Sequence, residues 1–330
     1  MAEVIPGIHH LKLPISIPES SLANVNAYLI RGDRGYLLVD AGLNTDEALA
    51  ALQNQLAEIG ADIKDISQIL LTHIHPDHYG MAGRIKRLSG AEMTMHDIEK
   101  RLIGLKYINE KELLKETAAW LKDNGVPHGE IPFIRDAALA MGQMVIPDYP
   151  DTTLQGGETM ATGPFTFRVI WTPGHSDGHI CLYEPQEKIL ISGDLVLPTI
   201  LPTIIMQPKS IENPLGKYLD SLKMIRQLDI ELVLPGHEEP FTRPGTRIDE
   251  IIRQLEQKNR AFVATLSGEP KTTYQVARSM NWSARIDWPD LPAFRQRMAI
   301  FQTLANLEMA IAENRSDKFS RDGIVYYRQV

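Results

Sequence analysis

The chain predicts an α/β layered domain, and three observations carry that expectation. Strands and helices alternate through the first hundred residues. Buried apolar runs end in polar turns rich in His and Asp. Strands then return after a long helical interruption. With 330 residues, 43% hydrophobic and 23% charged, there is room for one large domain plus a small appendage.

The elements follow in order. Ile8 to Ile15, Asn24 to Ile30 and Tyr36 to Val39 read as strands, with Gly32-Asp33-Arg34-Gly35 as a hairpin turn. Thr45 to Ile59 has helical spacing, and Ile66 to Leu71 is the next buried strand. A helix from Tyr79 through Leu88 and a short strand Glu92 to Met95 follow. Asp97 to Asn124 then reads as one long helical stretch stopped by Asn124-Gly125 and Pro127, and Glu130 to Met144 as a second helix. Residues 97–144 are thus expected to form a helical insertion, a lid or a plain cap, with Tyr107, Phe133 and Met141 as candidate pocket residues. Phe165 to Trp171, His179 to Tyr183, Lys188 to Ile191 and Glu231 to Leu234 restore strands, with a helix inside Ser210 to Leu228. Arg247 to Ser267, Thr272 to Met280 and Pro292 to Asn314 read as helices before a terminal hairpin at Asp322-Gly323. That order is winged-helix-like, so the expected division is a catalytic domain over 1–245 and a small helical module over 246–330.

Composition narrows the function. Net charge is −8, so the overall field does not steer the chain to nucleic acid or an anionic membrane. The single cysteine, Cys181, excludes an internal disulfide framework and reads as a small core hydrophobe. Met1-Ala-Glu-Val-Ile-Pro-Gly shows no signal-peptide pattern. The most apolar run, Leu195 to Met206, is broken by Pro198 and Pro202 and is too short to span a bilayer. A cytoplasmic location is the expectation.

The chemistry sits at four strand ends. They are His73-Ile74-His75-Pro76-Asp77-His78, then Gly174-His175-Ser176-Asp177-Gly178-His179, then Gly193-Asp194, then Pro235-Gly236-His237. Imidazole and carboxylate suit zinc, and manganese and iron as well. Six of the ten histidines lie in or beside these turns, which scatter does not produce. His9, His10, His96 and His128 have no such setting, and structural roles are expected for them.

These motifs resemble the metallo-β-lactamase superfamily over roughly residues 8–245, and Val39-Asp40-Ala41-Gly42 is similar to that superfamily's first motif. The resemblance implies an αββα sandwich with a dinuclear metal site. Carried over by position, His73, His75 and His175 would hold one cation, Asp77, His78 and His237 the other, and Asp194 would bridge them. Asp40 would support the ligands without binding metal. His179 has no ligand role in the motif and reads as a supporting or core residue. The implied cofactors are two divalent cations, zinc first.

A water held between two such cations loses its proton readily, with a pKa of about 7 on zinc, and the resulting hydroxide attacks a carbonyl or phosphorus centre. Asp77 is the candidate catalytic residue that orients it. His75 stands where redox-active flavodiiron relatives usually carry glutamate, which favours hydrolysis. The segment after Asp194 lacks both the glutathione-binding motif of glyoxalase II enzymes and the tyrosine of homoserine-lactone lactonases. Its apolar residues, with Leu197, Leu201 and Met206 as candidate contacts, favour an acyl substrate held as a thioester or ester.

Three alternatives stay open. The C-terminal segment resembles the extension of the β-lactamase-like protein 2 family, some of whose members cut single-stranded RNA. Yet Arg295, Arg297, Arg315, Lys318, Arg321 and Arg328 are interleaved with acidic residues and predict no clean basic face. Packing on the core, covering the site or forming a homodimer contact are the other roles open to the module. A mononuclear iron persulfide dioxygenase and a non-enzymatic binding scaffold complete the set.

Overall fold

The computed structural model describes residues 2–16, 22–284 and 286–330. Its first sheet has seven strands in chain order: β1 (Ala2–Ile5), β2 (Ile8–Pro14), β3 (Asn24–Gly32), β4 (Gly35–Val39), β5 (Ile66–Leu70), β6 (Glu92–His96) and β7 (Thr152–Leu154). β1 to β4 form an antiparallel meander, whereas β4 to β7 pair in parallel. Parallel neighbours need crossovers, and helices supply them here. α1 (Asp46–Glu58) joins β4 to β5, and α2 (Pro76–Tyr79) with α3 (Ala82–Ser89) joins β5 to β6. The insertion joins β6 to β7 as α4 (Asp97–Ile103), α5 (Glu110–Asp123), α6 (Ile131–Asp136) and α7 (Leu139–Gly142).

The second sheet places β8 (Thr159–Thr162), β9 (Phe165–Trp171), β10 (Ile180–Glu184), β11 (Ile189–Gly193), β12 (Leu232–Pro235) and β13 (Phe241–Thr242) side by side. Only β11 and β12 are parallel there, and α8 (Pro214–Ile225) makes their crossover. The remaining elements are α9 (Gly245–Ala264), α10 (Thr273–Ser279), α11 (Ala293–Ala312), β14 (Ser316–Arg321) and β15 (Ile324–Gln329).

Burial sorts these elements into four layers. Tyr28, Ile30, Leu37, Val39 and Leu70 of the first sheet meet Phe167, Val169, Leu182, Ile191 and Leu234 of the second. β9 shows why: alternate residues Phe165, Phe167 and Val169 are buried while Thr166 and Arg168 face out. Outside the first sheet, Leu49, Leu52 and Leu56 of α1 and Ile85 of α3 cover Leu11, Leu29 and Leu38. Outside the second, α8, α9 and α11 bury Leu219, Ile251 and Met309 against Tyr183, Leu190 and Val233. The chain is therefore an αββα sandwich.

Two helical expectations are corrected. Asp97 to Asn124 is not one helix, because a π turn at Gly104–Ile108 interrupts it, with the Asn109 amide donating to the Gly104 carbonyl. The extra residue re-aims Tyr107, whose hydroxyl donates to the Ile74 carbonyl in the ligand-bearing loop at 2.6 Å. Glu130 to Met144 likewise splits into α6 and α7. The C-terminal order of helices and hairpin is present, and Lys271 just before α10 pairs with Tyr327 of β15. No helix among the described residues is long and apolar enough to cross a membrane.

Phe167 is fully buried between the sheets. Phe167→Ala is expected to cost about 3–5 kcal/mol of unfolding free energy, read as a lower urea midpoint at unchanged slope. A midpoint equal to the parent's would contradict this packing.

Candidate metal centre

β9 and β11 both run antiparallel to β10, and β12 runs parallel to β11. The C-terminal ends of all three therefore point to one edge. The ends of β4 and β5 meet them across the sandwich. The Ile180 amide donates to the Thr72 carbonyl at 3.0 Å, the Asn26 amide to Gly236 at 2.8 Å, and the Tyr28 hydroxyl to Pro235 at 2.8 Å. This seam brings together all seven residues carried over as ligands. Donor atoms of His73, His75 and His175 lie within 4.8 Å of one another, and so do those of Asp77, His78 and His237. His73, His78 and Asp194 form a third such group, which links the two. Asp194 stands between them, with Oδ2 3.3 Å from His175 Nε2 and 3.5 Å from His237 Nε2, and Oδ1 3.5 Å from His78 Nε2.

Supporting bonds fix which ring nitrogen faces inward. Asp40 accepts the Thr72 amide at 2.8 Å, the Thr72 hydroxyl at 2.8 Å and His78 Nδ1 at 2.8 Å. Having given its proton to Asp40, the Thr72 hydroxyl accepts from His73 Nδ1 at 3.0 Å. His237 Nδ1 donates to the Asn24 carbonyl at 3.2 Å. In each case the Nε2 lone pair is left facing the cluster, as a metal ligand requires. His179 plays a related part: its Nε2 accepts the Asp194 amide at 3.1 Å, while its Nδ1 bonds Thr172 at 2.8 Å. Burial, aided by His175, lowers its pKa to about 3 and keeps that acceptor unprotonated.

Glu99 was not foreseen. This fully buried carboxylate on α4 accepts the Ser176 hydroxyl at 2.6 Å and the Gly178 amide at 2.8 Å, so the insertion holds the loop that carries His175. Thr72 was also missed, although it directly precedes the first histidine.

The donor set fits a cation. His73 Nε2 and His175 Nε2 each lie 3.0 Å from His75 Nδ1, a spacing that needs a shared proton or a cation between the nitrogens. Burial, followed by neighbouring imidazoles, holds His73 and His75 well below the ordinary histidine range, which disfavours the proton. His78 Nε2 and Asp194 Oδ1 are buried, lie 3.5 Å apart and have no hydrogen-bond partner among the described residues. Burial opposes charge on His78 too, but Asp194, Asp40 and Asp77 outweigh it and hold its pKa well above ordinary. The carboxylates gathered around His78 thus favour positive charge there. The glycines leave room: a Cβ at Gly236 would stand 2.4 Å from Asp194 Oδ1, and one at Gly193 would stand 2.6 Å from His179 Nε2.

The cluster forms part of the lining of an open cleft of about 400 Å³. Of the candidate pocket residues, Tyr107, Met141, Leu197 and Leu201 line it. Phe133 does not. It is 57% exposed and borders a separate groove with Tyr274 and Trp288. Met206 does not line the cleft either, because its side chain packs into the helical core and its amide bonds the Phe301 carbonyl. Apolarity pointed to both residues, and it demands burial without naming the partner. One cleft wall was not foreseen: Phe294, Arg297, Met298 and Phe301, one face of α11. Cys181 lies inert in the core, its thiol pushed up to about 12 by burial. Among the other histidines, His96 caps α4 and His128 is exposed.

Comparison with known proteins shows the family and the fold. The Metallo-beta-lactamase superfamily family profile matches residues 21–237. The "Probable metallo-hydrolase YqjP" of Bacillus subtilis is 27% identical over 318 residues, covering 93% of this chain and 94% of the relative. The "Acyl-coenzyme A thioesterase MBLAC2" of Gallus gallus is 30% identical, covering 66% of this chain and 73% of its own length. The crystal structure of the metallo-beta-lactamase family protein TTHA1429 from Thermus thermophilus superposes with a TM-score of 0.84 at 30% identity, covering 99% of this chain and 100% of that one.

Asp40→Ala would free His78 Nδ1 and Thr72 together. Chelator competition is expected to show metal affinity weakened by about 10- to 100-fold. Parent-like affinity would mean that Asp40 serves the backbone alone.

Proposed function

The chain belongs to the metallo-β-lactamase superfamily of hydrolases, and on that premise we propose that it hydrolyses thioesters or esters of hydrophobic acyl compounds. The observation that carries this is the joining of the His/Asp cluster to a cleft with mainly apolar walls. Leu113, Met141, Leu201, Ile205, Met298 and Phe301 line it, a surface suited to an acyl chain and ill suited to a polyanionic strand. The name of the Gallus gallus relative, an acyl-coenzyme A thioesterase, points the same way.

We assign His73, His75 and His175 to one divalent cation and Asp77, His78 and His237 to a second, with Asp194 shared and zinc the first choice of metal. When bound, such cations acidify water and polarise a carbonyl. The protein's own residues do the rest. Asp77 lies at the cleft, 3.3 Å from His237 Nε2, and its carboxylate is more exposed than that of Asp194. It is placed to accept a hydrogen bond from an attacking water and so to orient it. His179 and Asp40 keep Asp194 and His78 in position. The apolar walls exclude bulk water and hold the acyl chain beside the cluster.

The test is metal analysis followed by turnover assays on thioesters, esters, lactones, phosphodiesters and single-stranded RNA. Two metals per chain and thioester or ester turnover are expected. Asp194→Asn should lower kcat/KM by about 100-fold or more, equal to about 3 kcal/mol of activation free energy. RNA cleavage without thioester or ester turnover would overturn the substrate assignment. A single iron with oxygen uptake on a persulfide would overturn the reaction class. Binding without turnover under zinc, manganese and iron would leave a scaffold.

A further inference from the structure

Arg297 is a buried cation without an ion-pair partner among the described residues. It is 5% exposed, yet it lines the cleft beside Phe294, Met298 and Phe301 of the same helix face. Its guanidinium carbon lies 4.5 Å from the centre of the Phe301 ring, a contact that orients the planar group. Nη1 donates to the Arg135 carbonyl at 3.2 Å, which uses one of five N–H donors. The acid that acts on it electrostatically, Asp136, is already gripped by Arg135 through Nε at 2.6 Å and Nη2 at 2.9 Å. Burial lowers the pKa of Arg297 to about 10, so it stays charged at neutral pH.

Removing a guanidinium from water without a counter-ion is costly. One neutral carbonyl does not offset that cost. The geometry is that of half an ion pair whose other half enters the cleft. We propose that Arg297 is a specificity determinant that binds an anionic oxyacid group, carboxylate or phosphate, carried by the substrate. The inference rests on the acyl-hydrolase reading. It adds that the substrate is an acyl compound with a charged group set apart from its scissile bond. The planar fork of arginine matches both anions in bidentate geometry.

Two matched comparisons separate the sources of the anion. Thioesters of N-acetylcysteamine with monocarboxylic and ω-carboxylated acyl chains of equal length test a carboxylate on the acyl side. Coenzyme A against N-acetylcysteamine thioesters of one acyl chain tests phosphate on the thiol side. The parent should prefer the charged member of at least one pair. In Arg297→Gln the ratio of kcat/KM, charged to uncharged, should fall by about 10- to 100-fold through a rise in KM. Arg297→Lys should keep part of the preference. Calorimetric binding of adipate against its monomethyl ester, and of coenzyme A against pantetheine, gives a readout without turnover. If neither thioester nor ester is hydrolysed, the functional reading fails. Tighter binding of the more anionic member, lost in Arg297→Gln, would still support the anion site. A parent without preference in either assay, or an Arg297→Gln protein that melts lower but keeps the preference, overturns the proposal. Arg297 would then be a tie between α11 and the insertion.

Discussion

Asp40 is the point on which the rest of the site depends. Its backbone sits at φ 61°, in the left-handed region that L-residues seldom occupy, and its carboxylate is buried. A buried charge at a disfavoured backbone position persists only where its surroundings compensate it. They do so here from both neighbouring segments. The Asp40 amide donates to Leu70, the carboxylate takes the Thr72 amide and hydroxyl and His78 Nδ1, and the next amide, Ala41, donates to the His78 carbonyl. One side chain thereby locks the ends of two parallel strands to the first turn of α2. It also sets the tautomers of His73 and His78. Without it two of the six clustered imidazoles would be free to turn their lone pairs away.

Much of the fold was legible because its central strands are continuous apolar runs. Leu37 to Val39, Ile69 to Leu71 and Ile189 to Ile191 are such runs, suited to the inside of a layered sheet, and each ends where a polar turn begins. The edge strands were not legible. β1, β7, β8 and β13 are short and largely half-buried or exposed, so neither length nor periodicity marks them. The π turn after α4 was hidden for another reason. Gly104 weakens a helix without saying how, and the contact from Tyr107 to Ile74 joins elements that the local pattern cannot relate.

The candidate ligands announced themselves because histidine and aspartate clustered after buried strands have few other uses. Their supports were quieter. Thr72 and Glu99 act through ordinary hydrogen bonds, and any turn or helix offers such residues. Arg297 read as one of several basic residues interleaved with acidic ones. The spacing of Phe294, Arg297, Met298 and Phe301 marks a helix face, but the sequence does not say which surface that face meets. The sandwich edge supplies the cluster, while the insertion and α11 supply cleft walls. Leu121 and Ile134 pack those two segments on Tyr274, Ile300 and Phe301, so the walls are continuous with a common core.

The position of α11 after the whole His/Asp cluster has a consequence during synthesis. Every residue of the His/Asp cluster, His237 included, leaves the ribosome before Phe294 does. Ala305 and Met309 of α11 also complete the cover over α8, α9 and the outer face of the second sheet. A nascent chain thus carries a full set of ligands while Leu219, Ile251 and Leu255 still lack part of their apolar cover. Exposed apolar surface on an unfinished chain invites aggregation and chaperone binding. α11, remote in sequence from the chemistry, thus closes a core that the ligand-bearing segments leave open.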